Sequence, residues 1–384
     1  PPLLRLAVAR VDDGHHLLGV SMHHAVGDGW SNGILVRELT ELYLAQREAR
    51  APRLEPLPVQ YRDYAVWQRE CLDEEALGEQ LAEWRRVLGD AEPVMDLPLD
   101  RPRPLVKVGS AGTVAFEIPA SVGAAVELEA RSSGTTPFNV LLAAWNVVLA
   151  SFSCSDDVIV GTPISGRSAT ALEGLIGCFV NTLVLRTPVD RSRTFRDLVR
   201  TQTEVVLDAQ DRGDVPFEKI VADLDVTRDP STSPVFQVMF SFHDEPLASR
   251  RVLGALAERV EIPPLHAKFD LTLTLVRRPE GILGRLEFDE SIFERSTVDA
   301  YVSQYVRVLE SGTADPSSTL SKIDRPSGTE LDRVTLAWAR GPALAREGTS
   351  AGCVPALVAA QARTAPERTA LSCGARRVSY AELI

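Results

Sequence analysis

No window of the sequence approaches the roughly 18 uncharged apolar residues that a membrane-spanning helix needs, and the first residues lack the basic-then-apolar pattern of a secretory leader. Both absences point to a cytoplasmic protein. Basic residues are in deficit, 41 Lys and Arg against 53 Asp and Glu, for a formal net charge of −12. A general affinity for nucleic acid or anionic lipid is thereby disfavoured, since both need a basic face that releases counterions. Cysteine is sparse: Cys71, Cys154, Cys178, Cys353 and Cys373 are scattered, with no CxxC spacing and no paired histidine ligands behind them. They read as small core residues or incidental thiols in a reducing compartment. A GxSxG nucleophile elbow is missing, which argues against a serine hydrolase. RSSGTTPF at 131–138 has the Gly and Thr content of a phosphate loop, but no lysine follows and an apolar helix comes next. Ser133 or Thr135 is therefore expected near a helix start, as a cap.

What is present is ordinary globular material, 45% hydrophobic and 24% charged over 384 residues, enough for two domains on size alone. LLRLAVARV and HHLLGVSM flank Asp12, Asp13 and Gly14, the pattern of a β-hairpin. Helical spacing follows through WSNGILVRELTELYLAQRE, VQYRDYAVWQRECL and EALGEQLAEWRRVLG. The proline-rich LPLDRPRPLVK cannot be helical and reads as a crossing between two lobes. Beyond it the pattern predicts strands at GTVAFEIP, DDVIVGTPI, NTLVLRTPV and VFQVMFSF, and an antiparallel pair at FDLTLTLV and GILGRLEFD. Helices are predicted around SVGAAVELEARSS, FNVLLAAWNVVLASF, TFRDLVRTQTEVVLDAQ and TVDAYVSQYVRVLES. Mixed sheets carrying helices give an α/β (α+β) class. From 325 to 352 the composition turns to Pro, Gly, Ser, Thr and charge, as a linker does, apart from the short run LDRVTLAWA. The expected organisation is 1–104, 105–324, a linker at 325–352, and the edge of another domain at 353–384.

Residues 21–31 read SMHHAVGDGWS, two of the chain's six histidines beside an Asp-Gly pair in a strand-to-helix loop. Adjacent residues at a strand end point to opposite faces, so His23 and His24 do not readily share an ion. No second ligand cluster follows, and a zinc site needs three or four ligands. The same geometry sends one histidine inward and leaves the other facing a cleft, where a partly neutral imidazole can accept and return a proton. Asp28 either salt-bridges to an arginine or holds the loop by accepting backbone N–H bonds. Gly29 would supply a backbone conformation closed to larger residues. The plainer alternative is a satisfied turn with one histidine in the core.

MHHAVGDGWSNGILVREL resembles the HHxxxDG signature of condensation domains of nonribosomal peptide synthetases, a branch of the chloramphenicol acetyltransferase-like acyltransferases. Further segments similar to family motifs follow in order: YRDYAVW (61–67), LPLDRPRP (97–104), GTPISGR (161–167), IGCFVNTLVLR (176–186), DVPFEKIV (214–221), RDPSTSPVFQVMF (228–240) and AKFDLTL (267–273). The closing AQARTAPERTAL and RRVSYAELI are similar to the opening of an adenylation domain.

The resemblance implies two chloramphenicol acetyltransferase-like lobes meeting in a V, with the histidine loop at the floor of a tunnel. Only 22 residues precede the histidine pair, where the family has an opening strand and helices. On that basis the first lobe is expected to be incomplete, and this stretch alone to be poorly stable or inactive. The implied partners are donor and acceptor peptidyl carrier protein domains and an adjacent adenylation domain, with no nucleic acid and no membrane. Each carrier would bring its substrate on a 4'-phosphopantetheine arm. The acceptor amine would attack the donor thioester to form an amide, with no metal and no cofactor bound by this region.

Residue by residue, His24 matches the catalytic position. Asp28 matches a structural acid that pairs with an arginine across the lobes; Arg167 is the candidate, the alternative being a solvated arginine after a strand. His23 is expected to pack and shape the loop. Trp30 and Ser31 fit the DGWS form of domains that join an L donor to an L acceptor. Asn181 either lines the channel or is a turn residue. Where the family often reads HQDVPFE, this chain has Arg212 and Gly213, so no role carries over there. Rival readings are an epimerisation domain and an inactive carrier-docking platform; a heterocyclisation domain would replace His23 with Asp.

Overall fold

Turn chemistry at residues 12–14 starts the chain in this computed structural model. Leu4–Arg10 (β1) and His16–Met22 (β2) pair antiparallel, Leu4 opposite Met22 and Arg10 opposite His16. Asp12 closes the connection by accepting from the Gly14 and His15 N–H groups, 2.8 Å each. Leu4, Leu6, Val8, Leu18 and Val20 share one face of this ribbon and Leu17 lies on the other; all are exposed. The structure describes residues 2–324, except 73, 93, 108, 226–228, 245–250, 258–259, 261 and 263, together with 354–373 and 376–383. The expected linker and its LDRVTLAWA run lie outside the described residues.

Three helices follow the hairpin: Gly29–Arg47 (α1), Tyr61–Cys71 (α2) and Glu74–Leu88 (α3). The α2 start is set by a capping box in which Asp63 accepts from the Gln60 N–H at 2.8 Å. The proline-rich crossing is extended. It is pinned by Asp100 N–H on Ile292 O, and by Arg103 and Lys107 on the buried Asp270 carboxylate.

The next residues build a six-stranded sheet and its helices: Ala111–Pro119 (β3), Ala120–Ser132 (α4), Pro137–Ser153 (α5), Asp157–Ile164 (β4), Asn181–Pro188 (β5), Phe195–Asp211 (α6), Phe217–Asp223 (α7), Val238–Asp244 (β6), the short hairpin Arg251–Val252 (β7) and Ala255–Leu256 (β8), Leu271–Arg278 (β9), Gly281–Asp289 (β10), Arg295–Ala314 (α8) and Leu320–Ile323 (α9). The strand order is β3-β10-β9-β6-β4-β5. β6 runs parallel to β4 and β9, and the other pairs are antiparallel, so the sheet is mixed. Alternation on β9 puts Leu271, Leu273 and Leu275 in the core and leaves Thr272 and Thr274 half-buried. α5 is apolar around most of its circumference because it is wrapped by α4, α6, α8 and β4.

The expected strand at VFQVMFSF begins only at Val238, since Val235 holds a left-handed φ of +70° that no ladder accepts. The short α7, α9 and β7–β8 elements carry too few residues for a periodicity to show. Residues Pro1–Arg325 form one compact unit and Pro326–Ile384 another. In the second, helix Val354–Thr364 precedes an antiparallel pair, Thr369–Cys373 with Arg376–Ser379. Among the described residues no single helix is long and apolar enough to cross a membrane.

Candidate active site

The ladder of β2 ends just past Met22, where the His23 N–H donates to Leu3 O at 2.7 Å. There the chain turns into a single 3-10 turn, His24–Val26, whose Ala25 N–H donates to His23 Nδ1 at 3.1 Å. His23 thus shapes the loop, but it does not pack inward. Strand alternation stops one residue too early to apply to the pair, and both histidines are exposed.

Asp28 is the N-cap of α1. Its Oδ1 accepts from the Ser31 N–H at 2.8 Å, and its Oδ2 from the Phe179 N–H at 3.0 Å. Arg167 Nη2 lies 3.0 Å from Oδ1, with the Asp28 side chain only 3% and the Arg167 side chain only 1% exposed. The guanidinium also donates to Leu172 O at 3.1 Å and stacks 3.9 Å over the Phe179 ring. Burial alone raises the Asp28 carboxyl. The Ser31 N–H and hydroxyl, the Phe179 N–H and Arg167 outweigh it, and the carboxyl sits below the usual range.

Ser31 is the hinge of this network. Its Oγ lies 2.7 Å from Asp28 Oδ1 and 2.9 Å from Gly177 O, one of which takes its proton, and it accepts from Gly177 N–H at 3.2 Å. Trp30 is half exposed and spans to the same connection, its indole N–H donating to Glu173 O at 2.9 Å. Gly29 differs from expectation: a Cβ there would meet nothing within 4 Å, and its φ is not left-handed, so it is simply the first residue of α1. The demanding glycine is Gly166 in GTPISGR, with φ +62° and the Phe179 carbonyl 2.0 Å from where a Cβ would sit.

Asn181 is spent internally. Its Nδ2 donates to Gly213 O at 2.8 Å and Val215 O at 2.7 Å, and its Oδ1 accepts from the N–H groups of Thr182 and Phe217. It brackets the start of β5 to the 213–217 segment and keeps no polar atom for a channel. Arg212 turns away to donate to Asp208 O at 2.7 Å. Ser133 ends α4 and donates to Glu129 at 2.7 Å; Thr135 accepts from Asn139, and Thr136 precedes α5. Among the described cysteines Cys71 and Cys154 are exposed and Cys178 is half-buried, so the core reading fails for these thiols.

Three residues that no sequence argument singled out complete the site. Tyr61 on α2 donates from its hydroxyl to Cys178 O at 2.9 Å, and Phe179 packs against Tyr61 and Tyr64. Cys178 itself places Sγ 3.6 Å from His24 Nδ1. All three lie inside quoted motifs, but only the fold shows that the β4–β5 connection closes on the histidine loop. Among the described residues no three metal-ligating side chains converge.

The family model described as Condensation domain matches residues 1–334. A linear gramicidin synthase of Brevibacillus parabrevis is 37% identical over 389 residues, covering 100% of this chain, which spans only 8% of that relative. The X-domain from teicoplanin biosynthesis is similar in structure, with a TM-score of 0.76 and 30% identity over 84% of this chain and 75% of that one; it has also been solved in complex with OxyB. A four-domain nonribosomal peptide synthetase, AB3403, covers all of this chain with 30% of its own, at TM-score 0.75 and 22% identity, a likeness of fold. With the Asp28–Arg167 lock, the histidine loop and the matched sequence in agreement, the chain belongs to the condensation-domain family of nonribosomal peptide synthetases.

Proposed function

We propose that this chain joins a donor acyl or peptidyl thioester to the amine of an aminoacyl thioester, both delivered on phosphopantetheine arms of carrier-protein domains in the cytoplasm. Condensation domains of these synthetases are amide-forming acyltransferases. The observation that carries the reading is the presentation of His24 on a loop locked from beneath by buried Asp28 and Arg167. The acceptor nitrogen attacks the thioester carbon, the C–N bond forms and the C–S bond breaks, and the proton lost by nitrogen leaves with the thiol. An α-amino group titrates at roughly 7.7–8.0, so much of the acceptor is neutral without help. His24 acts by positioning that amine and taking its proton as the tetrahedral intermediate forms. His23, Asp28 and Ser31 hold the loop that carries it, Gly29 opens the helix that follows, and Arg167 braces the loop through Asp28. Trp30 and Ser31, in the DGWS form, support L-to-L joining. Asn181 acts by holding the 213–217 segment in place.

A second reading, a platform that docks proteins without chemistry, is favoured by the likeness to a teicoplanin X-domain that was solved bound to OxyB. Incubating the synthetase with one acyl-loaded and one aminoacyl-loaded carrier, then weighing the products, separates the readings. A new amide supports condensation. An inverted stereocentre on a single carrier shows epimerisation, and no product at all supports the platform.

A further inference from the structure

Residues 177–179 are fastened on three sides. The Gly177 N–H donates to Ser31 Oγ, which also lies 2.9 Å from the Gly177 carbonyl, the Cys178 carbonyl takes the Tyr61 hydroxyl, and the Phe179 N–H reaches Asp28. A Cβ on Gly177 would lie 2.1 Å from the Tyr61 ring, so only glycine lets that ring pack this closely against the segment. These are the same Asp28 and Ser31 that fix the histidine loop. Their joint effect is to aim one side chain, Cys178, at one atom, His24 Nδ1. Cys178 Sγ is the hydrogen-bond partner found for that ring among the described residues, and it leaves Nε2 without one.

Which ring nitrogen is free is decided by the bond that the other one makes. We propose that Cys178 is a positioning residue for His24: its sulfur accepts from Nδ1–H, fixing the ring and leaving the Nε2 lone pair for the acceptor amine. This deepens the condensation reading and rests on it. Burial, followed by the Asp28 and Glu218 carboxylates, pushes the Cys178 thiol up. It therefore stays a neutral thiol that does not compete with His24 for the substrate proton. Sulfur is a weak acceptor, so the contact sets an orientation more than it adds stability.

The test reads the tautomer directly. Long-range proton–nitrogen spectra of the full chain, labelled with ¹⁵N only in histidine, are recorded at about pH 8, where imidazoles are largely neutral. The His24 signals are assigned by their loss in His24→Gln. The wild type shows the Nδ1–H tautomer at His24, and Cys178→Ala moves it toward Nε2–H. In amide formation by the synthetase, Cys178→Ala lowers kcat about three- to tenfold, the equivalent of one net hydrogen bond, with KM within about twofold and an unchanged melt. Cys178→Ser keeps an acceptor and recovers most of that loss. An Nε2–H tautomer in the wild type overturns the proposal, as does an alanine variant that leaves both tautomer and kcat unchanged. If the wild-type synthetase makes no amide, the condensation reading fails, and if His24→Ala makes amide normally, the role given to His24 fails; in either case the spectra still judge the Cys178 contact by itself.

Discussion

Replacing Asp28 by asparagine removes one negative charge and no volume, which makes it the sharpest probe of the lock under the histidine loop. Arg167 would stay buried without a counter-charge. The single amide oxygen would also face donors that now share two: the N–H groups of Ser31 and Phe179, and the guanidinium. Stripping one partner from a buried, hydrogen-bonded pair costs about 3–5 kcal/mol. Unfolding entropy is about 2.1 cal/mol/K per residue. Over the unit Pro1–Arg325, the expected loss in Tm is therefore about 4–7 °C. The check is a double-mutant cycle by thermal or urea melting. Asp28→Asn combined with Arg167→Leu should be at least about 1.5 kcal/mol more stable than the two single losses added together, because no lone charge remains. An Asp28→Asn protein that melts like the wild type, or a strictly additive double variant, would refute the argument.

Three further outcomes follow from the same geometry. Because the Asp28 carboxyl lies below its ordinary range when folded, its stabilisation is complete above about pH 4 and is lost as pH falls through the depressed value. Melts of wild type and Asp28→Asn should accordingly converge in acid and separate above about pH 4; a constant gap would contradict this. Gly166→Ala forces a left-handed residue against the Phe179 carbonyl and should lower stability by about 2 kcal/mol or more, measured by urea midpoint. Asn181→Ala strands two carbonyls and two N–H groups. It should cost about 2–4 kcal/mol, with kcat preserved at temperatures where the variant remains folded; a selective loss of kcat would return Asn181 to a substrate role.

The sequence showed most of this fold because its signals are local. The Asp-Gly turn, the alternation in β9 and β10 and the helical spacing after Trp30 each lie within a dozen residues. Asp28 and Arg167 were also legible, through motifs that matched in order, and the structure puts them 3.0 Å apart across 139 residues. What stayed hidden depends on tertiary closure. Whether His23 packs inward is settled by where the β2 ladder stops, and the spending of Asn181 by a loop 32 residues further on. Cys178 read as an incidental thiol because a lone cysteine has no pattern; its partner, His24, is 154 residues away.

In the proposed reaction His24 carries the chemistry while the residues beneath it hold the loop. Single-turnover amide formation between loaded carriers, compared for wild type and His24→Ala in the intact synthetase, tests it most directly. A fall of about 10² to 10⁴ fold with an unchanged melt and normal carrier binding is the predicted result. A His24→Ala rate near that of the wild type would contradict the account.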